Sequence, residues 1–508
     1  MKKLIYPALS LLLILLSSSC EELLDLHSPD SLTVDKYYRD ETDALKSLAA
    51  AYGSLDSGID MWSYAEVKLP VEEYRHDLIV PGNDATNYLT WMQIYYFTNT
   101  SGNSQITSYW ESNYLGIYKS NQTIEGVESI SEEDIDADVK QTILGEAYFL
   151  RAWYHLSLQM RWQQIVVRDE AATSETLNKA LSPRSESWDF IISDLETAAS
   201  MMLSEQPSTQ VGRATKNAAY AYLGFAWLQR ASEDSEGNIV SSPDGDMLQE
   251  AITALGKVSG INLVDDFASM FDGTNENSEE VILERQFTGD TSVYWLVHSL
   301  NGFIPSSCFG GWDEMYITQK YYDFLTAEFD DSKPVGQKYD KRTYATMFFD
   351  CPYYQDPENL PYGYGATFSE ATASETRTPV SSFAKLLDRE PNNNWYAYNN
   401  VPLMRLANVM LMKAEAEYML SGSEDWDTID EIRSTHGGMD AADRTQGFMA
   451  ALEHERVMEF GLENSRFFDL RRWNRLSETS IDGVRTYSSS ALYFPTPEVE
   501  VNANSLID

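Results

Sequence analysis

Residues 145–162 have the sequence GEAYFLRAWYHLSLQMRW. In this segment Ala147, Leu150, Tyr154 and Leu158 recur at intervals of three and four residues, the spacing that places side chains on one face of an α-helix. After its first residue the segment contains no glycine or proline, the residues that interrupt helices. We therefore predict a long, largely buried helix here.

Further windows show the same helical spacing. Small residues, among them Ala214, Ala218, Ala414 and Ala416, alternate with aromatic residues in two of them. Such alternation lets paired helices approach closely, as in tetratricopeptide-type hairpins. We predict an all-α-dominated fold, a tetratricopeptide-like helical-repeat scaffold with little β structure, in which residues 281–287 alternate like one short strand. The other helical windows are residues 45–52, 110–124, 188–202, 216–230, 408–420 and 449–460.

Three segments between these windows are rich in aromatic residues and in Gly, Pro, Asn and Asp. Residues 60–98 contain eight aromatic residues, residues 287–324 contain ten and residues 344–398 contain twelve. This composition favours long irregular excursions over helices. Because binding sites are commonly built on loops that a rigid scaffold holds in place, we expect a ligand to be bound there.

The composition of the chain excludes several classes of protein. With 508 residues, 43% of them hydrophobic and 12% aromatic, the chain exceeds a single small module and can bury a large core, which rules out intrinsic disorder. It carries 79 acidic residues against 37 basic ones, a formal charge of −42. A field of that sign repels phosphate backbones, so we expect no nucleic-acid partner. Acidity also keeps a secreted protein soluble.

The first twenty residues resemble an export signal. Lys2 and Lys3 precede an apolar stretch over residues 4–16, and three serines then lead to Cys20. Thirteen apolar residues are fewer than the roughly 20 that a membrane-spanning helix needs. The segment therefore predicts export and not a transmembrane anchor.

A cysteine at this position resembles the lipoprotein box of bacteria, where the thiol is diacylated and becomes the new N-terminus. The alternative is an ordinary secretory signal cut near Ser19. We expect a signal peptide over residues 1–19 and a lipid-anchored tether over residues 20–34, starting at Cys20. The other cysteines, Cys308 and Cys351, are too few for a disulfide scaffold, and the sequence leaves open whether they pair.

Several motifs occur in an order that is typical of one family. Residues 145–154 contain a GEA…FLRA motif, residues 212–216 read GRATK, and residues 453–473 read EHERVMEFGLENSRFFDLRRW. Together they resemble the SusD/RagB family, the outer-membrane nutrient-binding lipoproteins of Bacteroidetes. Further matching stretches are residues 109–127, 401–416 and 494–497.

The resemblance implies one intertwined unit with an N-terminal part, residues 35–230, and a C-terminal part, residues 231–508. It also implies that the family motifs hold the fold, whereas ligand contacts lie in the variable excursions. Charges beside a core persist when they are paired and hydrogen-bonded, so we read the motif charges as structural ion pairs. These are Arg456, Glu459, Arg466, Asp469, Arg471 and Arg472.

The resemblance implies a non-catalytic lipoprotein on the outer membrane, facing the cell exterior. It would bind a nutrient glycan and deliver it to a SusC-like TonB-dependent transporter. One alternative keeps the scaffold but captures peptides or another nutrient, since an acidic cleft suits cationic peptides. The other is a secreted glycosidase, because so many acidic residues allow a catalytic pair that spacing in sequence cannot reveal.

No motif for a nucleotide, a nucleophilic serine or zinc occurs, and we predict no enzyme activity, no cofactor and no metal. Residues 272–280 offer acidic and amide oxygens but lack the spacing of a calcium-binding EF-hand, so we interpret them as a solvated turn.

A neutral glycan presents flat C–H faces and many hydroxyls, so its binder needs aromatic platforms with polar neighbours. Trp91, which follows Asn83, Asp84 and Asn87, is the strongest candidate. For each candidate the alternative is a core position, since tryptophan is highly buried on average. The candidate ligand contacts are Trp91, Trp62, Tyr64, Glu73, Asp77, Trp312, Trp395 and Tyr396.

Overall fold

The computed structural model describes residues 37–56, 63–288, 298–360, 367–388, 397–481 and 483–507, with the backbone alone for Ser63 and Tyr64. Several predictions lie outside the described residues: the signal peptide, the tether with Cys20, Trp62, the side chain of Tyr64, Trp395 and Tyr396.

The described residues form seventeen α-helices. They are α1 (Glu41–Tyr52), α2 (Leu69–Glu73), α3 (Leu89–Tyr95), α4 (Ser104–Ser129), α5 (Ala137–Gln159), α6 (Arg184–Met201), α7 (Lys216–Ala231), α8 (Gly245–Leu255), α9 (Leu300–Phe303), α10 (Gln319–Thr326), α11 (Lys341–Thr346), α12 (Phe368–Ala371), α13 (Leu406–Ser421), α14 (Trp426–Ile432), α15 (Phe448–Glu459), α16 (Arg466–Arg472) and α17 (Glu498–Ala503).

The long helices form an array in which each packs against the next. The order of contact is α1, α4, α5, α6, α7, α8 and α13, with α14 and α15 following. All seven helical windows of the sequence fall on helices of this array to within a few residues. The prediction of a helix-dominated, tetratricopeptide-like scaffold with little β structure is confirmed.

Polar caps and small residues explain why these helices begin and pack where they do. The side chains of Asp40, Asn103 and Asp136 accept hydrogen bonds from backbone N–H groups in the first turns of α1, α4 and α5. Where α4 meets α5, a Cβ at Gly116 would lie 2.5 Å from the ring of Tyr154. The helices therefore approach closely because position 116 has no side chain.

The described residues also form three two-stranded antiparallel sheets, of which one joins two of the irregular excursions. Strand β1 (Ile79–Pro81) pairs with β3 (Met315–Ile317), which brings the first excursion beside the second. Strand β2 (Val281–Arg285) pairs with β6 (Val401–Arg405), and β4 (Met347–Phe349) pairs with β5 (Ser381–Phe383).

One large apolar core runs through both parts of the chain, and a smaller one lies among α13, α14 and α15. The indole of Trp162 donates to the carbonyl of Pro495 (2.9 Å), and the N–H of Phe494 donates to the carbonyl of Arg161 (2.8 Å). The early helices and the last residues thus share hydrogen bonds as well as core. None of the described helices is both long and apolar enough to cross a membrane.

Candidate ligand-binding site

The backbone after β1 and the backbone before β3 cross at close range. The N–H of Gly82 donates to the carbonyl of Glu314 (2.7 Å), and the N–H of Asp84 donates to that of Asp313 (3.1 Å). A Cβ at position 82 would lie 2.1 Å from the Asp313 carbonyl oxygen, so this approach needs glycine. The crossing fixes the first excursion against the second.

Tyr88 is the exposed aromatic ring next to this crossing. It is 41% exposed and stacks on Trp91, with ring centroids 4.0 Å apart and planes 22° apart. Trp91 itself is 3% exposed, its indole N–H donates to Oε1 of Gln105 (2.9 Å), and Phe303 lies 5.5 Å away. The Tyr88 ring is therefore exposed to solvent, and the Trp91 ring is buried beneath it.

Trp312 lies half-buried in the second excursion, over α9. A Cβ at Gly302 would come within 2.4 Å of its indole ring, and its backbone N–H donates to the Gly302 carbonyl (2.8 Å). The ring thus packs closely against the backbone of α9.

Polar side chains surround these rings. Asn83 and Asn87 are exposed, and Nδ2 of Asn87 donates to Oδ1 of Asp84 (2.8 Å). The guanidinium carbon of Arg377 lies 3.8 Å from the centroid of the ring of Tyr316, a residue of β3. We call the set Asn83, Asp84, Asn87, Tyr88, Trp312, Asp313 and Tyr316 the Tyr88 face.

A buried carboxyl group lies beneath this face. Glu314 is 2% exposed, and its Oε2 has no hydrogen-bond partner among the described residues. Burial, together with the charge of Asp84 and a hydrogen bond to it, raises the pKa of Glu314 to about 8. At neutral pH Glu314 is therefore a neutral acid hydrogen-bonded to the Asp84 carboxylate.

Glu73 and Asp77 lie in the interior, 2% and 5% exposed. The Glu73 carboxylate accepts from the ring of His76 (2.8 Å) and from the N–H of Asn464 (2.8 Å). Asp77 pairs with Arg466 at 2.8 Å. Burial opposes ionisation of Asp77, but Arg466 and Lys320 hold its pKa well below the usual range. Both carboxylates are thus occupied by donors of the protein.

All six motif charges are buried, and each forms ion pairs. Arg456 holds Asp469 with two bonds of 2.9 and 2.8 Å, and Arg472 holds Glu415 with two of 2.7 and 2.6 Å. These contacts support a structural role for them. Further pairs include Arg466–Asp77, Arg471–Glu233 and Glu459–Arg405.

Glu280, His436 and Glu459 bring three possible metal ligands together in the interior. The two ring nitrogens of His436 lie 2.9 Å from the two carboxylates, and Arg405 bridges the same carboxylates at 2.8 and 2.7 Å. Burial opposes protonation, but Glu459 and Glu280 raise the pKa of His436 to about 9. The imidazolium donates on both sides, so this cluster is an ion-pair network and fits no metal ion.

Two family models match the chain and together account for most of it. The model described as the SusD family matches residues 266–505, and the one described as starch-binding associating with outer membrane matches residues 25–227. The chain belongs to the SusD-like family. The second description associates the family with the outer membrane.

Known members of the family share the length and the fold of this SusD-like chain. A SusD-like protein of Bacteroides ovatus is 23% identical over 421 residues, 79% of this chain and 73% of the relative. The crystal structure of a SusD superfamily protein from Bacteroides vulgatus has a TM-score of 0.78 and 26% identity, covering 93% of this chain and 99% of that one.

A further structure was solved with a bound sugar. Surface glycan-binding protein A from Bacteroides thetaiotaomicron, in complex with laminarihexaose, has a TM-score of 0.72 and 18% identity, covering 91% of this chain and 97% of its own. This similarity shows that the two proteins share the SusD-like fold.

The structure places Trp91 and Trp312 on the two excursions that the crossing joins, but it places Glu73 and Asp77 in the interior, where other groups of the protein bond their carboxylates. Tyr88 was missed by reasoning from the sequence, which favoured the larger tryptophan three positions later. The signal that could have found it is its place directly after three polar residues, Asn83, Asp84 and Asn87.

Proposed function

We propose that this chain is a non-catalytic surface lipoprotein that binds a nutrient glycan at the Tyr88 face and delivers it to a SusC-like TonB-dependent transporter. The observation that carries the proposal is the exposed Tyr88 ring, stacked on buried Trp91 and bordered by Asn83, Asp84 and Asn87. A flat ring with amide and carboxylate neighbours suits the C–H faces and hydroxyls of a sugar. The glycan complex of a protein with the same fold supports it.

The carboxyl pair at the site supports a binding role over catalysis. A glycosidase places its two carboxyl groups on either side of the scissile bond, about 5–5.5 Å apart or more. Glu314 and Asp84 are instead hydrogen-bonded to each other, and Glu314 is buried. No sugar can lie between them.

Tyr88→Ala is expected to weaken glycan binding at least tenfold, or about 1.4 kcal/mol, because the exposed ring and its apolar contact area are lost. Affinity electrophoresis through laminarin, starch and other polysaccharides measures the loss, and an assay of reducing ends runs beside it. Tyr88→Phe keeps the ring and should retain most of the binding.

Tyr118→Ala is the matched control, since Tyr118 is 39% exposed on α4 and bonds only its helix neighbour Gln122 among the hydrogen bonds described. Equal retardation of Tyr88→Ala and the control would contradict the proposed site. New reducing ends would contradict the non-catalytic role, and binding of peptides alone would favour the peptide alternative.

We propose that the protein is anchored from the end of α4 opposite the Tyr88 face, where the described chain begins. The hydroxyl of Tyr38 donates to the carbonyl of Gln122 (2.8 Å), whereas Trp91 bonds Gln105. Seventeen residues of helix separate these positions, about 26 Å at 1.5 Å per residue. A tether over residues 20–34 extends at most about 50 Å. It therefore allows the domain to swing as a lid over a transporter while it remains anchored.

Cys20→Ala is expected to release the protein from the membrane fraction, because several acyl chains hold a lipoprotein lastingly and a polypeptide without them has no such anchor. Detergent phase partitioning of cell fractions measures the change. Cys308→Ala should stay with the membrane, and release of both variants or of neither would contradict the anchor at Cys20. Copurification of the wild type with a TonB-dependent transporter tests the partner.

A further inference from the structure

Carboxyl groups surround Tyr88. Asp84 lies four residues before it, and the backbone bond from Asp84 to Asp313 (3.1 Å) holds a second acidic residue at the crossing. Burial first, and then the neighbouring carboxyls of Glu314, Asp84 and Glu66, raise the pKa of Tyr88. At neutral pH, where Glu314 is largely protonated, the charges of Asp84 and Glu66 still give the field at the phenol a negative sign.

Among the described residues, Arg377 is the cation at this face, and it already pairs with Glu375. One of its Nη atoms lies 2.9 Å from the Oγ of Ser306 and 2.9 Å from the carboxylate of Glu375, and the guanidinium stacks on Tyr316 at 3.8 Å. An anionic ligand would have to displace Glu375 to gain a counter-charge, which would leave a half-buried carboxylate unpaired.

The same groups suit an uncharged ligand. The exposed amides of Asn83 and Asn87 both donate and accept, and the carboxylates of Asp84 and Asp313 accept hydroxyl protons in charge-assisted hydrogen bonds. A carboxylate or sulfate on the ligand would meet these oxygens as like charges and would be repelled.

On the basis of the proposed function, we infer that the Tyr88 face accepts uncharged glycans and rejects glycans that carry carboxylate or sulfate groups. The discrimination comes from fixed charges at the site and adds to any preference for linkage. It also gives the acidity at this face a role in selecting the ligand.

The test compares each neutral polymer with its own charged derivative. Laminarin and soluble starch are used as they are and after carboxymethylation, beside neutral xyloglucan and anionic alginate and carrageenan. The neutral form should bind at least tenfold more tightly than its carboxymethylated form in 0.1 M NaCl. In 1 M NaCl the ratio should fall below threefold, because the screening length shortens from about 10 Å to about 3 Å.

A double variant, Asp84→Asn with Asp313→Asn, isolates the local charges. It should lower the ratio of neutral to carboxymethylated affinity at least fivefold in 0.1 M NaCl. Glu132→Gln with Glu133→Gln removes the same two charges from exposed positions beyond the far end of α4 and should leave the ratio unchanged.

Three outcomes overturn the inference. Equal or tighter binding of a carboxymethylated form, or binding of alginate or carrageenan alone, would show that the site accepts anions, although glycan binding itself would stand. A ratio that persists in 1 M NaCl would mean steric and not electrostatic rejection. Failure of the wild type to bind any polymer would overturn the proposed function and this selectivity with it.

Discussion

Arg405→Met is expected to lower the free energy of unfolding by about 3–5 kcal/mol, the range measured when one partner of a buried ion pair is removed. Arg405 is fully buried and binds Glu280 at 2.8 Å, Glu459 at 2.7 Å and Glu463 at 2.8 Å. Methionine fills a similar volume but leaves these carboxylates short of a cation. Urea unfolding followed by circular dichroism measures the loss.

Lys179→Met is the control, because Lys179 also pairs with a carboxylate, Asp169, but both side chains are exposed, 42% and 60%. Exposed pairs contribute little, so this variant should unfold at the same urea concentration as the wild type. Arg405→Lys should fall between the two, since an ammonium cannot reach all the carboxylates that a guanidinium fork reaches. Wild-type stability in Arg405→Met would show that the network does not hold the fold.

The helices could be predicted from the sequence because their signal is local. In residues 145–162 the apolar positions repeat at the helical period, and the structure has helix α5 over Ala137–Gln159. Strand β2 was also indicated by alternation over residues 281–287. The helical array was indicated in addition by small residues that alternate with aromatic ones, among them Ala214, Ala218, Ala414 and Ala416.

The candidate site proposed above could be predicted from the sequence as a region but not residue by residue. Composition placed aromatic residues in the excursions, yet it could not show which ring faces solvent. Tyr88 and Trp91 lie on successive turns, and the stacking of one on the other buries the tryptophan and exposes the tyrosine. That outcome depends on the crossing at Gly82, which joins segments more than 200 positions apart in the chain.

The sequence also could not show which charged residues would be buried in ion-pair networks. Glu280 and His436 are 156 positions apart, yet they meet at 2.9 Å in the interior. Glu73 and Asp77 lie in an aromatic excursion, but both are held inside by His76 and Arg466. The sequence does not distinguish an acidic residue that binds a ligand from one that pairs with a buried arginine. The packing of distant segments determines which of the two contacts forms.

Stability should also depend on pH through Glu314. The unfolded chain ionises this carboxyl near pH 4.5, whereas burial and Asp84 keep it protonated in the folded protein up to about pH 8. Between these values the unfolded state binds fewer protons, so the free energy of unfolding falls as the pH rises. The contribution of Glu314 is fully present below pH 4.5 and is lost as the pH rises through about 8.

Glu314→Gln is therefore expected to stabilise the protein by about 2 kcal/mol at pH 8 and to destabilise it by about 1–3 kcal/mol at pH 4, where the wild-type carboxyl is already protonated and one amide hydrogen lacks a partner. A shift of this size corresponds to at most about 5 kcal/mol, and leaving one amide hydrogen without a partner offsets about 1–3 kcal/mol of it. Urea unfolding of both proteins at the two pH values measures the difference. The pKa of His436 is about 9, so its stabilising contribution is also lost as the pH rises through this range. This loss is the same in both proteins and cancels when they are compared. A variant that is no more stable than the wild type at pH 8 would mean that the fold does not raise the pKa of Glu314, and the two excursions would then be joined across a pair of like charges at neutral pH.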